Sequence, residues 1–137
     1  MFRLKWKEMT MGEATDKLTI LEVKYAKLGG PESIKEQIVE MTIGIENYIE
    51  GIFVTRLSDY EQAKYWSLKE QLYKNNYAQW DWEDKVLSST EAGPGLHAAK
   101  MSRRHNARRA LIKKEIDVIF KEKYLEIKKY AEIKDAK

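Results

Sequence analysis

Cysteine is absent from this 137-residue chain, and proline occurs twice. Without cysteine there is no disulfide framework, no thiolate metal site and no thiol nucleophile. With so little proline, long helices are favoured over a loop-rich sandwich. Long apolar runs are missing too: none approaches the roughly 20 residues that a membrane-spanning helix needs. The opening Met1-Phe2-Arg3-Leu4-Lys5-Trp6-Lys7 lacks the apolar core of a signal peptide. An excess of one charge is also lacking. The 25 Lys and Arg face 22 Asp and Glu, and a net +3 is too mild to imply nucleic-acid binding by composition. The only histidines, His97 and His105, lie in a basic stretch and offer no metal-ligand spacing. Catalytic triads, Gly-rich phosphate loops and dinucleotide signatures are not found, and Gly93-Pro94-Gly95 reads as a turn. These absences lead to the expectation of one cytoplasmic domain with no membrane segment, no metal and no cofactor.

What the chain does have is helical periodicity. Residues 1–9 read as an N-terminal arm in which Phe2, Leu4 and Trp6 alternate with basic residues. Residues 10–133 read as a single helical domain, and residues 134–137 as a frayed tail. Thr10-Met11-Gly12-Glu13 has the form of a capping box, and Ala14, Leu18, Leu21, Tyr25 and Leu28 continue it as one apolar stripe. Gly29-Gly30-Pro31 ends that helix. A second stripe joins Ile34, Ile38, Met41, Ile45, Tyr48, Ile49 and Ile52, with Gly44 and Gly51 inside it. Ser58-Asp59-Tyr60-Glu61 is another capping box. It opens a third helix to about Val86, whose apolar side is read as Trp66, Tyr73, Tyr77 and Trp80, flanked by Leu68 and Leu72. Ser88 to Gly95 reads as a loop. A last helix is expected from Leu96 or Ala98, with Ile112, Ile116, Ile119, Phe120 and Ile127 inward. The fold class is therefore all-α, a bundle of about four amphipathic helices. Helices two to four exceed about 25 residues in this reading, so one is expected to kink or project and to favour a homodimer.

Charged groups beside these stripes are the informative ones. Glu13, Lys17, Ile20 and Lys24 fall on one strip of the first helix, with Asp16 at its margin. On the last helix Ser102, Asn106, Arg109 and Lys113 run into Ile116 and Phe120. Trp80 and Asp84 share a face of the third. If the helices are neighbours, an acidic and basic cluster lines one end of the bundle under Trp80. Interhelical ion pairs are one use of such a cluster. A pocket for a small anionic ligand is the other. Arg109 and Lys113 would neutralise the anion, Trp80 would stack, and Glu13 or Asp84 would accept ligand donors.

At these same residues the sequence resembles an uncharacterised family. Gly12-Glu13-Ala14-Thr15-Asp16-Lys17-Leu18-Thr19-Ile20-Leu21-Glu22-Val23-Lys24 is similar to the GE-x-x-DKLTILEIK opening of a family of small bacterial and phage proteins whose domain has no assigned function. Trp80-Asp81-Trp82-Glu83-Asp84 resembles its W-x-x-ED stretch, and Asn106 to Ile116 its N-x-x-RA-x-IK-x-EI stretch. The likeness spans Gly12 to about Tyr130. It leaves out Lys27 to Lys74 and the Arg103-Arg104 pair. It implies a helical fold and matched positions, not a reaction. The phage members suggest a protein that sequesters a host signalling nucleotide.

Three functional expectations follow. The first is a non-enzymatic binding protein for a small anionic, nucleotide-like ligand, using Glu13, Asp16, Lys17, Lys24, Trp80, Asp84, Asn106, Arg109 and Lys113. The second is a helical interaction module that binds a host protein or nucleic acid through the basic segment 100–114, with Lys100, Arg103, Arg104 and Arg108 as contacts. The third is a metal-free bundle enzyme of the mutase kind.

Overall fold

The computed structural model describes residues 9–51 and 56–135, with side chains described as far as residue 121. The described residues form four helices: α1 (Met11–Lys27), α2 (Glu32–Ile49), α3 (Asp59–Ser88) and α4 (Ala92–Asp135). They pack together as an all-α bundle. Among the described residues there is no strand, and no helix is long and apolar enough to cross a membrane. The expected arm with Phe2, Leu4 and Trp6 lies outside the described residues. So do Ile52, the side chain of Ile127 and the last residues of the tail.

Local chemistry explains most of the boundaries. Thr10 Oγ1 accepts from Glu13 N at 3.1 Å, which is the Thr10 half of the expected box. Gly29 and Gly30 end α1 with φ of 77° and 75°, a left-handed conformation that glycine adopts without a Cβ penalty. At α3 both halves of the box form, with Glu61 N to Ser58 Oγ at 3.1 Å and Ser58 N to Glu61 Oε1 at 2.8 Å. Two boundaries differ from expectation. α2 stops at Ile49 after 18 residues, because Gly51 turns the chain at φ 85° instead of continuing the helix. α4 begins at Ala92, so Gly93-Pro94-Gly95 forms its first turn. Proline is tolerated there because the first amides of a helix have no intrahelical acceptor to reach.

α1 is the hub: it packs against α2, α3 and α4. That position explains why nine of its 17 residues are buried, including Gly12, Ala14, Thr15 and Thr19 around the circumference. Small side chains let neighbouring helices come close. At Gly12 the approach is closest, since a Cβ built there would sit 2.3 Å from the Lys113 carbonyl oxygen of α4. Gly12 N donates to Asp117 Oδ1 at 2.7 Å, so a carboxylate on α4 helps to cap α1. The core gathers Leu18, Leu21, Met41, Ile45, Ile49, Leu57, Tyr65, Leu68, Leu72, Ile112, Ile116 and Ile119, with Ile34, Ile38, Tyr48 and Phe120 packed against it.

α3 departs from the expected stripe. Its buried face is Tyr65, Leu68, Leu72, Asn75, Asn76 and Gln79, not Trp66, Tyr73, Tyr77 and Trp80. Trp66 and Tyr77 remain 38% and 37% exposed. Trp66 leans edge-on against Tyr65, with ring centroids 5.0 Å apart, and Lys27 sits over the Tyr77 ring at 4.0 Å. Trp66 lies one helical step, about 100°, from the buried Tyr65, so it covers the margin of the interface instead of entering it. α3 and α4 run antiparallel, through contacts of Gln71 with Arg108, Asn75 with His105, and Trp82 with His97. In that register the 44-residue α4 carries its backbone past the start of the 30-residue α3.

Candidate functional site

The charged centre of the bundle is Asp16. Its side chain is 5% exposed and receives the Arg109 guanidinium from α4 in a two-point pair. Arg109 Nε donates to Oδ1 at 2.8 Å and Oδ2 at 2.9 Å, and Nη2 donates to Oδ2 at 2.5 Å. Lys113, one turn further along α4, stands 3.9 Å from the same Oδ2. The Asp16 hydrogen bond holds the Arg109 pKa above its ordinary value, burial opposes this, and Asp16 and Glu83 add charge attraction.

A polar network from α3 completes the surroundings. Asn76 Nδ2 donates to Asp16 Oδ1 at 3.0 Å and to Thr19 Oγ1 at 2.9 Å. Thr19 spends its own proton on the Asp16 carbonyl oxygen at 2.8 Å. Asn76 Oδ1 is buried with no donor among the described residues. Leaving an acceptor in that state costs about 1–3 kcal/mol. Close by, Thr15 and the fully buried Tyr65 share a hydroxyl–hydroxyl bond of 2.7 Å. Thr15 gives its proton to the Met11 carbonyl, so Tyr65 is the donor in that pair. Burial pushes the Tyr65 phenol well above its ordinary pKa. On the neighbouring stretch of α4, Asn75 grips His105 twice at 2.8 Å, through its ring Nδ1 and its backbone oxygen. Because the Asn75 amide nitrogen faces that carbonyl, its oxygen faces the ring, and His105 Nδ1 carries the hydrogen.

Next to the Asp16–Arg109 pair lies a cleft of about 210 Å³, lined by Ile20, Val23 and Lys24 from α1, by Asn76, Gln79, Trp80 and Glu83 from α3, and by Arg109 from α4. A larger hollow of about 430 Å³ at the α3–α4 turn is lined by Trp82, Lys85, Ser88, Ser89, Pro94, His97 and Ala98. It contains none of the expected ligand residues, and its ionisable groups Lys85 and His97 are solvent-exposed. The smaller cleft is the stronger candidate, because it draws charges from three helices onto a buried polar floor.

The structure gathers part of the expected set. Asp16, Arg109 and Lys113 meet in one ionic cluster, and Lys24, Trp80 and Arg109 line one cleft. Glu13 and Lys17 are exposed on α1, Asp84 is exposed on α3, and Asn106 is exposed on α4. The cleft contains Glu83 instead of Asp84, and the buried amide comes from Asn76 instead of Asn106. Lys100, Arg103, Arg104 and Arg108 are all exposed, and Arg108 reaches Gln71 at 3.3 Å. Among the described residues no three metal-ligating side chains come together.

Asn75, Asn76 and Gln79 were missed although a signal was present. They extend Tyr65, Leu68 and Leu72 at helical spacings of three and four, so following the leucines instead of the aromatics leads to them. Comparison of the chain with protein-family models, with curated proteins and with solved structures returns no match.

Proposed function

We propose that this bundle binds a small anionic ligand in the cleft between α1, α3 and α4, as a receptor or sequestering protein and not as an enzyme. The observation that carries this reading is the split duty of Arg109. Its Nε and Nη2 are held by buried Asp16, while Nη1 has no partner among the described residues and the side chain lines the cleft. A guanidinium fixed on one edge is pre-organised to receive an anion on the other, which lowers the ordering cost of binding. Lys24 adds a second cation at the rim, and Trp80 a flat face.

Native mass spectrometry of freshly purified protein tests retention of a small molecule. A thermal-shift panel of nucleoside monophosphates, sugar phosphates and dicarboxylates tests binding directly. Binding should quench tryptophan fluorescence and vanish in Lys24→Ala, whose exposed side chain can be removed without unfolding the bundle. No retained molecule and no shift with any anion would refute the reading.

A partner-binding role is favoured by one feature of α4. Its backbone continues past α3, and Leu111 and Val118 on it are 63% and 39% exposed. Sedimentation analysis would show a dimer if α4 pairs with a second copy. A salt-sensitive complex with nucleic acid, lost in an Arg103→Ala/Arg104→Ala variant, would instead support the basic segment as the contact.

A further inference from the structure

We infer that the ligand of the α1–α3–α4 cleft is a flat heterocycle that bears an exocyclic amino group and an anionic substituent, and that Asn76 is the residue that reads the amine. The inference rests on the cleft being a ligand site.

The orientation of the Asn76 amide is forced. Asn76 is 6% exposed, and its Nδ2 donates at 3.0 Å to Asp16 Oδ1 and at 2.9 Å to Thr19 Oγ1. Neither partner can take the opposite role. The Asp16 carboxylate, paired with Arg109, only accepts, and the Thr19 proton is committed to the Asp16 carbonyl oxygen. Flipping the amide would set oxygen against oxygen at both contacts. Asn76 therefore presents Oδ1 as a fixed, unpaired acceptor in a residue that lines the cleft.

Complementarity then selects the ligand. A carbonyl or carboxylate alone cannot satisfy Oδ1; an N–H or O–H donor can. Because Oδ1 is closed to water in this structure, the donor must project from its ring and displace the side chains that cover the oxygen, as an exocyclic amine can and a ring N–H cannot. The Trp80 face with Ile20 and Val23 favours a flat, partly apolar body over an aliphatic alcohol. The volume of about 210 Å³ suits a single ring system, below the range of roughly 300–1,000 Å³ usual for drug-sized pockets. A phosphate or carboxylate attached to that ring would lie at the opening, beside Lys24 and the free edge of Arg109.

Matched ligand pairs test this with the intact, unaltered protein. Adenosine, guanosine and cytidine 5′-monophosphates are titrated by calorimetry, each beside the analogue in which hydrogen replaces the amino group: purine riboside, inosine and pyrimidin-2-one riboside 5′-monophosphates. At least one amino compound should bind about tenfold or more tightly than its partner. The Asn76 side-chain amide resonances should shift with it and not with the analogue. Equal affinity across every pair would overturn the amine reading while leaving the cleft as an anion site. Binding of sugar phosphates or dicarboxylates, with none of the nucleotides, would overturn the heterocycle in the same way. Failure of all anions would overturn both the inference and the proposed function.

Discussion

Removing the Arg109 guanidinium should destabilise the bundle by about 3 kcal/mol. Arg109→Ala takes two charge-assisted contacts from a carboxylate that is 5% exposed. Such bonds contribute roughly 1.5–3 kcal/mol each, so the gross loss is about 3–6 kcal/mol. Lys113 offsets part of it. Its ammonium stands 3.9 Å from Asp16 Oδ2 and can close to a direct contact, which returns about 1.5 kcal/mol at an effective dielectric near 20. The remainder agrees with the low end of the roughly 3–5 kcal/mol typical when one member of a buried pair is lost, as befits an arginine that is 28% exposed. For a domain of this length that is a fall in Tm of about 10 °C. Urea unfolding followed by helical circular dichroism, at unchanged slope, measures it. In an Asp16→Asn background the same arginine substitution should cost about 2 kcal/mol less, since no stranded charge remains. A cost below about 1 kcal/mol, or the same cost in both backgrounds, would refute the assignment of Asp16 as a buried charge held by Arg109.

Gly12→Ala should cost about 2 kcal/mol, because its Cβ would lie 2.3 Å from the Lys113 carbonyl oxygen, a backbone atom that cannot rotate away. A denaturation midpoint equal to that of the unaltered protein would show that α1 and α4 do not approach so closely. Alkaline pH should weaken the fold through Tyr65. Burial raises its folded pKa above the ordinary 10.0, so its contribution is intact below about pH 10 and declines as pH rises, when only the unfolded chain sheds the proton. Tyr65→Phe should lose about 1 kcal/mol at neutral pH with the Thr15 bond, yet show a shallower fall in Tm between about pH 10 and 11. Parallel falls in the two proteins would place the alkaline sensitivity elsewhere.

The sequence was most legible where structure is decided within one or two turns. Thr10, Ser58 with Glu61, and the Gly29-Gly30 stop act through bonds and dihedrals a few residues long, so their meaning survives without the rest of the molecule. The stripes of α1, α2 and α4 are plain at Leu18, Ile45 and Ile116, which reach the core, whereas Leu28 at the end of the α1 stripe is exposed. Reading failed at α3 because two stripes share that helix. The aromatic spacing points to Trp66 and Tyr77, whereas the buried line runs through Tyr65, Leu72, Asn75 and Asn76. The candidate site was half legible for the same reason. Helical phase leads to Asp16, Lys24, Trp80, Arg109 and Lys113, but a phase set by the aromatics of α3 selects Asp84 instead of Glu83 and passes over Asn76.

Four amphipathic helices, the starts of α1 and α3 and the end of α1 follow from the order of the amino acids, because caps and periodicity are local properties. Which helix stands at the centre does not. Only packing made α1 the hub, which put Asp16 out of reach of water and turned an ordinary surface carboxylate into the anchor for Arg109. Burial is a property of neighbours distant in the chain. The acceptor left on Asn76, and the cleft beside it, exist only once α1, α3 and α4 have met.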